Sequence, residues 1–293
     1  MNTLATYSRR EILKTVAFAA AIAPALCGLT SASGAEKKPS SATAKRSRLR
    51  LGVASFTLAK SSIDQVIAVL QQLEFETVSL YKTHAPWSDG TPEQCRIVVE
   101  KFATSGIAVT STGMIEITDD ETAARRAFEN VRGAGLKMFC ARQKPAALPL
   151  LDKLVKEYDL RVAIHNHGPT EDFPTGLSVW NAIQPYDRRI GLCLDIGHGF
   201  RAGENPIDTI HLARERLYEL HLRDTKAPGG AMKDPHPAIV GHGAIDIRGV
   251  VAALLAIGYA GVAEFEYDLK EDDRLPGLAE SVGYVRGLLA ASA

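Results

Sequence analysis

The sequence predicts an α/β protein, a (β/α)8 TIM barrel forming a single domain. From Leu51 onward, eight short apolar runs alternate with longer segments of helical period, the strand and helix repeat of such a barrel. The roughly 240 residues after a polar N-terminal region suit the ~250 typical of the fold. No Gly-rich phosphate loop follows an early strand, which ranks a doubly wound open sheet second.

Taken in order, the first element is not part of the barrel. Ser8-Arg9-Arg10-Glu11-Ile12-Leu13-Lys14 precedes an apolar run from Thr15 to Leu29 and then Ser33-Gly34-Ala35. That is the layout of a cleavable export signal of the twin-arginine type, with cleavage expected after Ala35. Leu26 stands before Cys27 where a lipoprotein signal carries a small residue, so no lipid anchor is expected. Residues 36–50 are basic, polar and Pro/Ser-containing, and read as a disordered tether before a barrel at 51–293. The predicted strands are 51–56, 76–82, 107–113, 137–142, 161–167, 190–195, 218–224 and 261–267. Amphipathic stretches at 62–73, 92–106, 122–135, 156–160, 207–217 and 247–259 predict the helices between them.

Composition narrows the partners. The 34 basic and 34 acidic residues balance, leaving no basic footprint for nucleic acid. Beyond the signal no run is long and apolar enough to span a bilayer. Cys95, Cys140 and Cys193 are odd in number and widely spaced, against a disulfide framework or a cysteine zinc site. A homo-oligomer is compatible with the sequence.

In both barrel and open sheet the chemistry sits at the C-terminal ends of the strands. Period-two alternation puts Ala163, His165 and His167 on one face of their strand. In the next three strands the inward sets are Gly191, Cys193 and Asp195, then Glu219, His221 and Arg223, then Val262, Glu264 and Glu266. Four consecutive strands thus offer His, Asp, His and Glu near their ends. Burying that set is costly unless a cation compensates it. Imidazole with carboxylate suits manganese, zinc, cobalt or iron better than calcium.

The motifs LDIGH (194–198), HLRD (221–224), GHGAID (241–246) and GYAGVAEFE (258–266) resemble the xylose isomerase-like barrel superfamily. Within it the chain is similar to the sugar phosphate isomerase/epimerase group. The resemblance implies a divalent metal held by His165, Asp195, His221 and Glu266. Glu266 is preferred over Glu264 because the family's glutamate lies five residues after the glycine matching Gly261. It also implies that His198 faces the substrate. One departure stands out. Epimerases of the family carry a glutamate on the fifth strand where this chain has His165, so one carboxylate base of a symmetric pair is missing.

Metal-assisted proton abstraction beside a carbonyl remains. Glu264, His167 and His198 are the candidates to take the proton, Glu264 being equally placed to orient a ligand histidine. Lys82, His84, Arg201 and Glu171 are expected substrate contacts, each weighed against a surface role. Phe56 and Trp87 are candidate apolar walls, His211 is expected to be structural, and the long loop 227–243 with His236 and His242 is a candidate lid. The expected enzyme is an exported, periplasmic or extracellular isomerase or epimerase acting on a non-phosphorylated sugar or glycoside. The alternatives are a 3-keto-glycoside lyase and a non-catalytic carbohydrate-binding barrel.

Overall fold

The computed structural model describes residues 49–226, 237–267, 269 and 274–292. The expected signal peptide, most of the tether and His236 lie outside the described residues. The barrel begins earlier than expected. Leu49 is already buried in the main core and Arg50 opens the first strand, because its run RLGVA pairs on both edges.

The described strands are β1 (Arg50–Ala54), β2 (Thr77–Leu80), β3 (Ala108–Thr112), β4 (Ile115–Ile117), β5 (Met138–Gln143), β6 (Arg161–His165), β7 (Ile190–Asp195), β8 (Leu217–Leu222), β9 (Asp224–Thr225), β10 (Pro237–Ala238) and β11 (Val262–Phe265). The helices are α1 (Ile63–Gln72), α2 (Pro92–Thr104), α3 (Glu121–Gly133), α4 (Leu148–Tyr158), α5 (Gly176–Ile183), α6 (Ile196–Arg201), α7 (Pro206–Ala213), α8 (Ile247–Ala256) and α9 (Leu275–Ala291). A nine-stranded parallel sheet runs β3-β2-β1-β11-β8-β7-β6-β5-β4.

Its two ends are neighbours in the chain. The third predicted strand, 107–113, is β3, and an unpredicted short strand follows it, so that two pieces share its place: β3 pairs with β2, and β4 pairs with β5. Gly113 sits between them, where a Cβ would lie 2.8 Å from the Tyr81 backbone and ring. Its N–H is bonded to the Leu80 carbonyl at 2.8 Å. Each piece serves one neighbour, so the barrel closes with a kink in place of one continuous strand.

Local chemistry starts the helices where the sequence places them. Ser62 and Thr91 form capping boxes with Gln65 and Gln94, and Pro92 occupies the first turn of α2. The apolar helix faces pack on the outward faces of the strands as one large cluster. Inside the barrel, Cys140, Ala163 and Cys193 form a second, small cluster directly beneath the strand ends. Small side chains there match the inward alternation expected for β6 and β7. At Gly191 a Cβ would come within 2.5 Å of the Arg216 carbonyl, so only glycine allows β7 and β8 this approach.

Candidate functional site

His165, Asp195, His221 and Glu266 converge at the C-terminal mouth, each at most 6% exposed, with one donor atom of each within 4.8 Å of the others. His165 ends β6, Asp195 ends β7, His221 lies near the end of β8, and Glu266 follows β11. Strand pairing sets the geometry, since Asp195 registers with His221 and Glu264 with His221 across adjacent strands. His165 Nε2 stands 3.1 Å from His221 Nδ1 and 3.7 Å from Asp195 Oδ2. Asp195 Oδ2 is 3.9 Å from His221 Nδ1, and Glu266 Oε2 is 2.5 Å from the same nitrogen.

Donors bonded to one cation at about 2.0–2.2 Å lie roughly 3.4 Å apart in a tetrahedral site. Most of these separations bracket that value. Asp195 Oδ2 is fully buried without a hydrogen bond, which a cation would resolve. Two imidazoles and two carboxylates are the donor set of a borderline divalent ion. The residues fit the group that the sequence implied.

Protein cations balance these charges in the structure. Arg223 Nε lies 3.1 Å from Asp195 Oδ2, and its Nη2 bonds Glu266 Oε1. Burial drives Asp195 up to about 6 against the pull of Arg223. Burial also opposes charge on Glu266, but Arg223 and His221 outweigh it and hold the carboxyl well below its usual range. Burial disfavours a charged His221 too, yet Glu266 and Glu219 raise its pKa well above the ordinary value.

The far side of the His221 ring looks down the barrel. Its Nε2 faces Glu219 Oε1 at 3.4 Å and Glu264 Oε2 at 3.9 Å. Ser111 Oγ donates to Glu219 at 2.7 Å, and Ser79 Oγ donates to Glu264 at 2.5 Å. Glu264, a candidate base from sequence, therefore sits behind the ring, on the side opposite Asp195 and Glu266. Burial and the Glu219 carboxylate push its pKa well above the usual range. Of the two roles left open for it, its position is that of a residue orienting His221. Alternation places Glu219 on the inward face without assigning it a role; a carboxylate on the second nitrogen of a ligand histidine fixes the ring's orientation.

His167 and His198 stand beside the cluster with ring centroids 4.5 Å apart, and each lies under 6 Å from His165. Asp195 positions His198, because its Oδ1 accepts the His198 N–H at 2.7 Å and so caps α6. Burial, then Arg223, lowers the His198 pKa well below normal. His167 is lowered by burial and by Arg142, with Glu171 pulling the other way. Glu171 Oε1 is 3.6 Å from His167 Nδ1, and its other oxygen bonds Arg142.

From His165 and His167 a cavity of about 310 Å³ runs outward along the ends of β4 and β5. Polar groups including Glu116, Arg142, Lys144 and Glu171 line it, with Ile117, Ala147 and Phe173 as apolar wall. Nothing in the sequence pattern marked Arg142 or Glu116, which reach this mouth only through the short strand β4 and the end of β5.

Other expected contacts lie elsewhere. His84 is buried with both ring nitrogens engaged, Nδ1 with Ser55 Oγ at 2.9 Å and Nε2 with the Ser61 carbonyl at 3.1 Å. It ties two loops together and has no nitrogen left for a sugar. Lys82 is exposed, 5.7 Å from the Tyr81 ring centroid, and is not among the cavity-lining residues. Arg201 is buried against His198 rather than on the surface. Trp87 is packed with its N–H on the Leu80 carbonyl, and Phe56 packs edge-on against Tyr81. His242 is exposed and pairs with Glu280 at 2.8 Å, and His211 is exposed on α7.

Comparison with known proteins agrees with the architecture. Residues 143–288 match the family model described as xylose isomerase-like TIM barrel. A curated relative, the probable endonuclease 4 of Mycobacterium bovis, is 32% identical over 130 residues, covering 43% of this chain and 50% of the relative. The chain thus spans about half the length of the curated relatives it matches. Among solved structures, 3-keto-D-glucoside 4-epimerase YcjR of E. coli superposes with a TM-score of 0.66 at 14% identity, covering 82% of this chain and 99% of that one. The IolI protein, solved with a bound zinc atom, gives a TM-score of 0.65 at 18% identity over 83% and 97% of the two chains.

Proposed function

From the match of residues 143–288 to the xylose isomerase-like TIM barrel family, we propose that the chain is a divalent-metal-dependent sugar isomerase or epimerase. The proposed substrate is a non-phosphorylated sugar, and the reaction is proton abstraction next to a carbonyl. The observation that carries the reading is the buried His165, Asp195, His221 and Glu266 set with two adjacent imidazoles, tilted 39° to each other, beside it. A divalent ion in that set would supply polarisation of the sugar carbonyl. Arg223 holds Asp195 and Glu266 in place, and Glu219 with Glu264 fixes the His221 ring. Proton transfer then falls to His167 and His198 at the mouth.

The arginines around the site favour a neutral substrate. Arg142 is bonded to Glu171, Arg201 to His198 and Arg223 to Glu266, and Arg223 is also ion-paired with Asp195. A sugar phosphate or a phosphodiester would have to compete for them, and the balanced 34 basic and 34 acidic residues add no field for a polyanion. The paired-arginine segment and apolar run near the N-terminus support export, where sugar phosphates are scarce.

Elimination from a 3-keto-glycoside is the second reading. It is favoured by an imidazole, His165, where the family's epimerases carry a glutamate, and by Glu264 lying behind His221. The cavity past the cluster, with Ile117, Ala147 and Phe173 on one wall, also offers room for an aglycone.

The test is NMR of the zinc-loaded protein with a 3-keto-glucoside and, separately, a simple ketose in D₂O. Deuterium entering the carbon beside the carbonyl, with a new isomer or epimer, is expected. Release of the aglycone with an unsaturated keto sugar would move the assignment to the lyase. Unchanged spectra with both substrates would overturn the catalytic reading.

A further inference from the structure

His167 and His198 lie side by side at the mouth with their rings tilted 39° to each other, yet their nitrogens face different groups. His198 lies in α6, 4% exposed, with Nδ1 3.2 Å from Arg201 Nη1. Arg201 is also 4% exposed, three residues further along the same helix. A guanidinium has only donors and keeps its charge, so this hydrogen bond runs one way: Arg201 donates and Nδ1 accepts. A neutral imidazole that accepts at Nδ1 carries its proton on Nε2.

That Nε2 faces the metal-ligand cluster. It lies 3.9 Å from Asp195 Oδ2, too far for a hydrogen bond, so its N–H is directed at the mouth without an acceptor in Asp195. The ring cannot turn freely to exchange its nitrogens. Asp195 Oδ1 anchors the His198 backbone at 2.7 Å, and the His167 ring lies against it with centroids 4.5 Å apart.

We propose that Arg201 is a positioning residue that locks His198 in the Nε2–H tautomer, making His198 a hydrogen-bond donor to a substrate oxygen and leaving proton abstraction to His167. The assignment of substrate contacts rests on the function proposed above; the tautomer itself does not. In the proposed step His167 takes the proton from the carbon beside the carbonyl. The electron pair of that C–H bond forms a carbon–carbon double bond as the carbonyl π pair moves onto its oxygen, which accepts a hydrogen bond from His198 Nε2–H. His167 then returns the proton to carbon or to a departing oxygen. Arg201 touches neither substrate nor the reacting atoms.

The test needs no substrate, so it fails or succeeds apart from the reaction assigned. The full chain is labelled with ¹⁵N-histidine, loaded with zinc, and its imidazole nitrogens are read by long-range ¹H–¹⁵N correlation. Signals of His198 are assigned by their loss in His198→Asn. Expected are an unprotonated Nδ1 and a protonated Nε2 in the native chain and in Arg201→Lys, which also only donates. Arg201→Glu, which only accepts, should move the proton to Nδ1. A native His198 protonated on Nδ1, or an Arg201→Glu spectrum identical to the native one, would overturn the proposal. If Arg201→Glu does not fold, Arg201→Met replaces it. A mixture of both tautomers in that variant is expected, and an unchanged single tautomer would overturn the proposal.

Discussion

His221 faces two environments through one ring. Nδ1 looks up at Glu266, Asp195 and His165, while Nε2 looks down at Glu219 and Glu264. The two sides predict different losses. Asp195→Asn removes a charged donor from the cluster and should abolish stoichiometric zinc binding, measured by metal content after dialysis, with far-UV circular dichroism unchanged. Glu219→Gln leaves every donor in place but loosens the ring, so zinc affinity should fall about 10–100-fold in a competition titration with a chromophoric chelator. Equal losses in the two variants would mean that Glu219 does more than orient. Legibility also divides at this ring. Alternation put Glu219, His221, Glu264 and Glu266 on inward faces, but period two says nothing about depth along the barrel. Which glutamate lies above the imidazole and which below depends on the register of β8 against β11.

The loop after β8 shows what one carboxylate does for a whole element. Asp224 is 1% exposed and accepts from the backbone N–H groups of Thr225 at 2.8 Å, Gly241 at 2.9 Å, Gly243 at 2.9 Å and Ile245 at 3.3 Å. The HLRD and GHGAID motifs are therefore one structural unit, the first supplying the anion and the second its nest of donors. At Gly243 a Cβ would lie 2.0 Å from Asp224 Oδ1, which explains the glycine. Asp224→Ala leaves those donors unpaired and should cost about 3 kcal/mol in urea unfolding. A variant within 0.5 kcal/mol of native, about the spread of ordinary surface changes, would show that water replaces the carboxylate without loss. Both motifs were visible in the sequence, while their pairing across 17 residues was not. The small helix α6 was missed for a similar reason. IGHGFR has two glycines in six residues and no apolar period, and it is helical because Asp195 caps it and strand β8 packs beneath it.

At the scale of the molecule, the cluster joins β6, β7, β8 and β11, so a bound ion would bridge nearly half the barrel wall. Ligand that binds only the folded state stabilises it by about 2.7 kcal/mol at a hundredfold excess over Kd. For a barrel of this size that corresponds to a rise in Tm of roughly 5–10 °C. Differential scanning fluorimetry with added zinc should show it in the native chain and lose it in Asp195→Asn. No rise in the native chain would remove the metal from the proposed function.

Local pattern in the sequence sufficed for the strand and helix repeat, the barrel and the inward strand faces that carry the donors, while Glu266 was singled out from Glu264 only by the family resemblance. The repeat and the inward faces follow from period and alternation, which act within a few residues of the chain. Tertiary structure alone decided that a short strand follows the third one past Gly113 to close the ring, that His84 spends both nitrogens on loops, and that Arg201 is buried against His198. Each depends on which distant backbone comes within hydrogen-bonding distance. That distance is set by the closure of the barrel, not by any pattern along the chain.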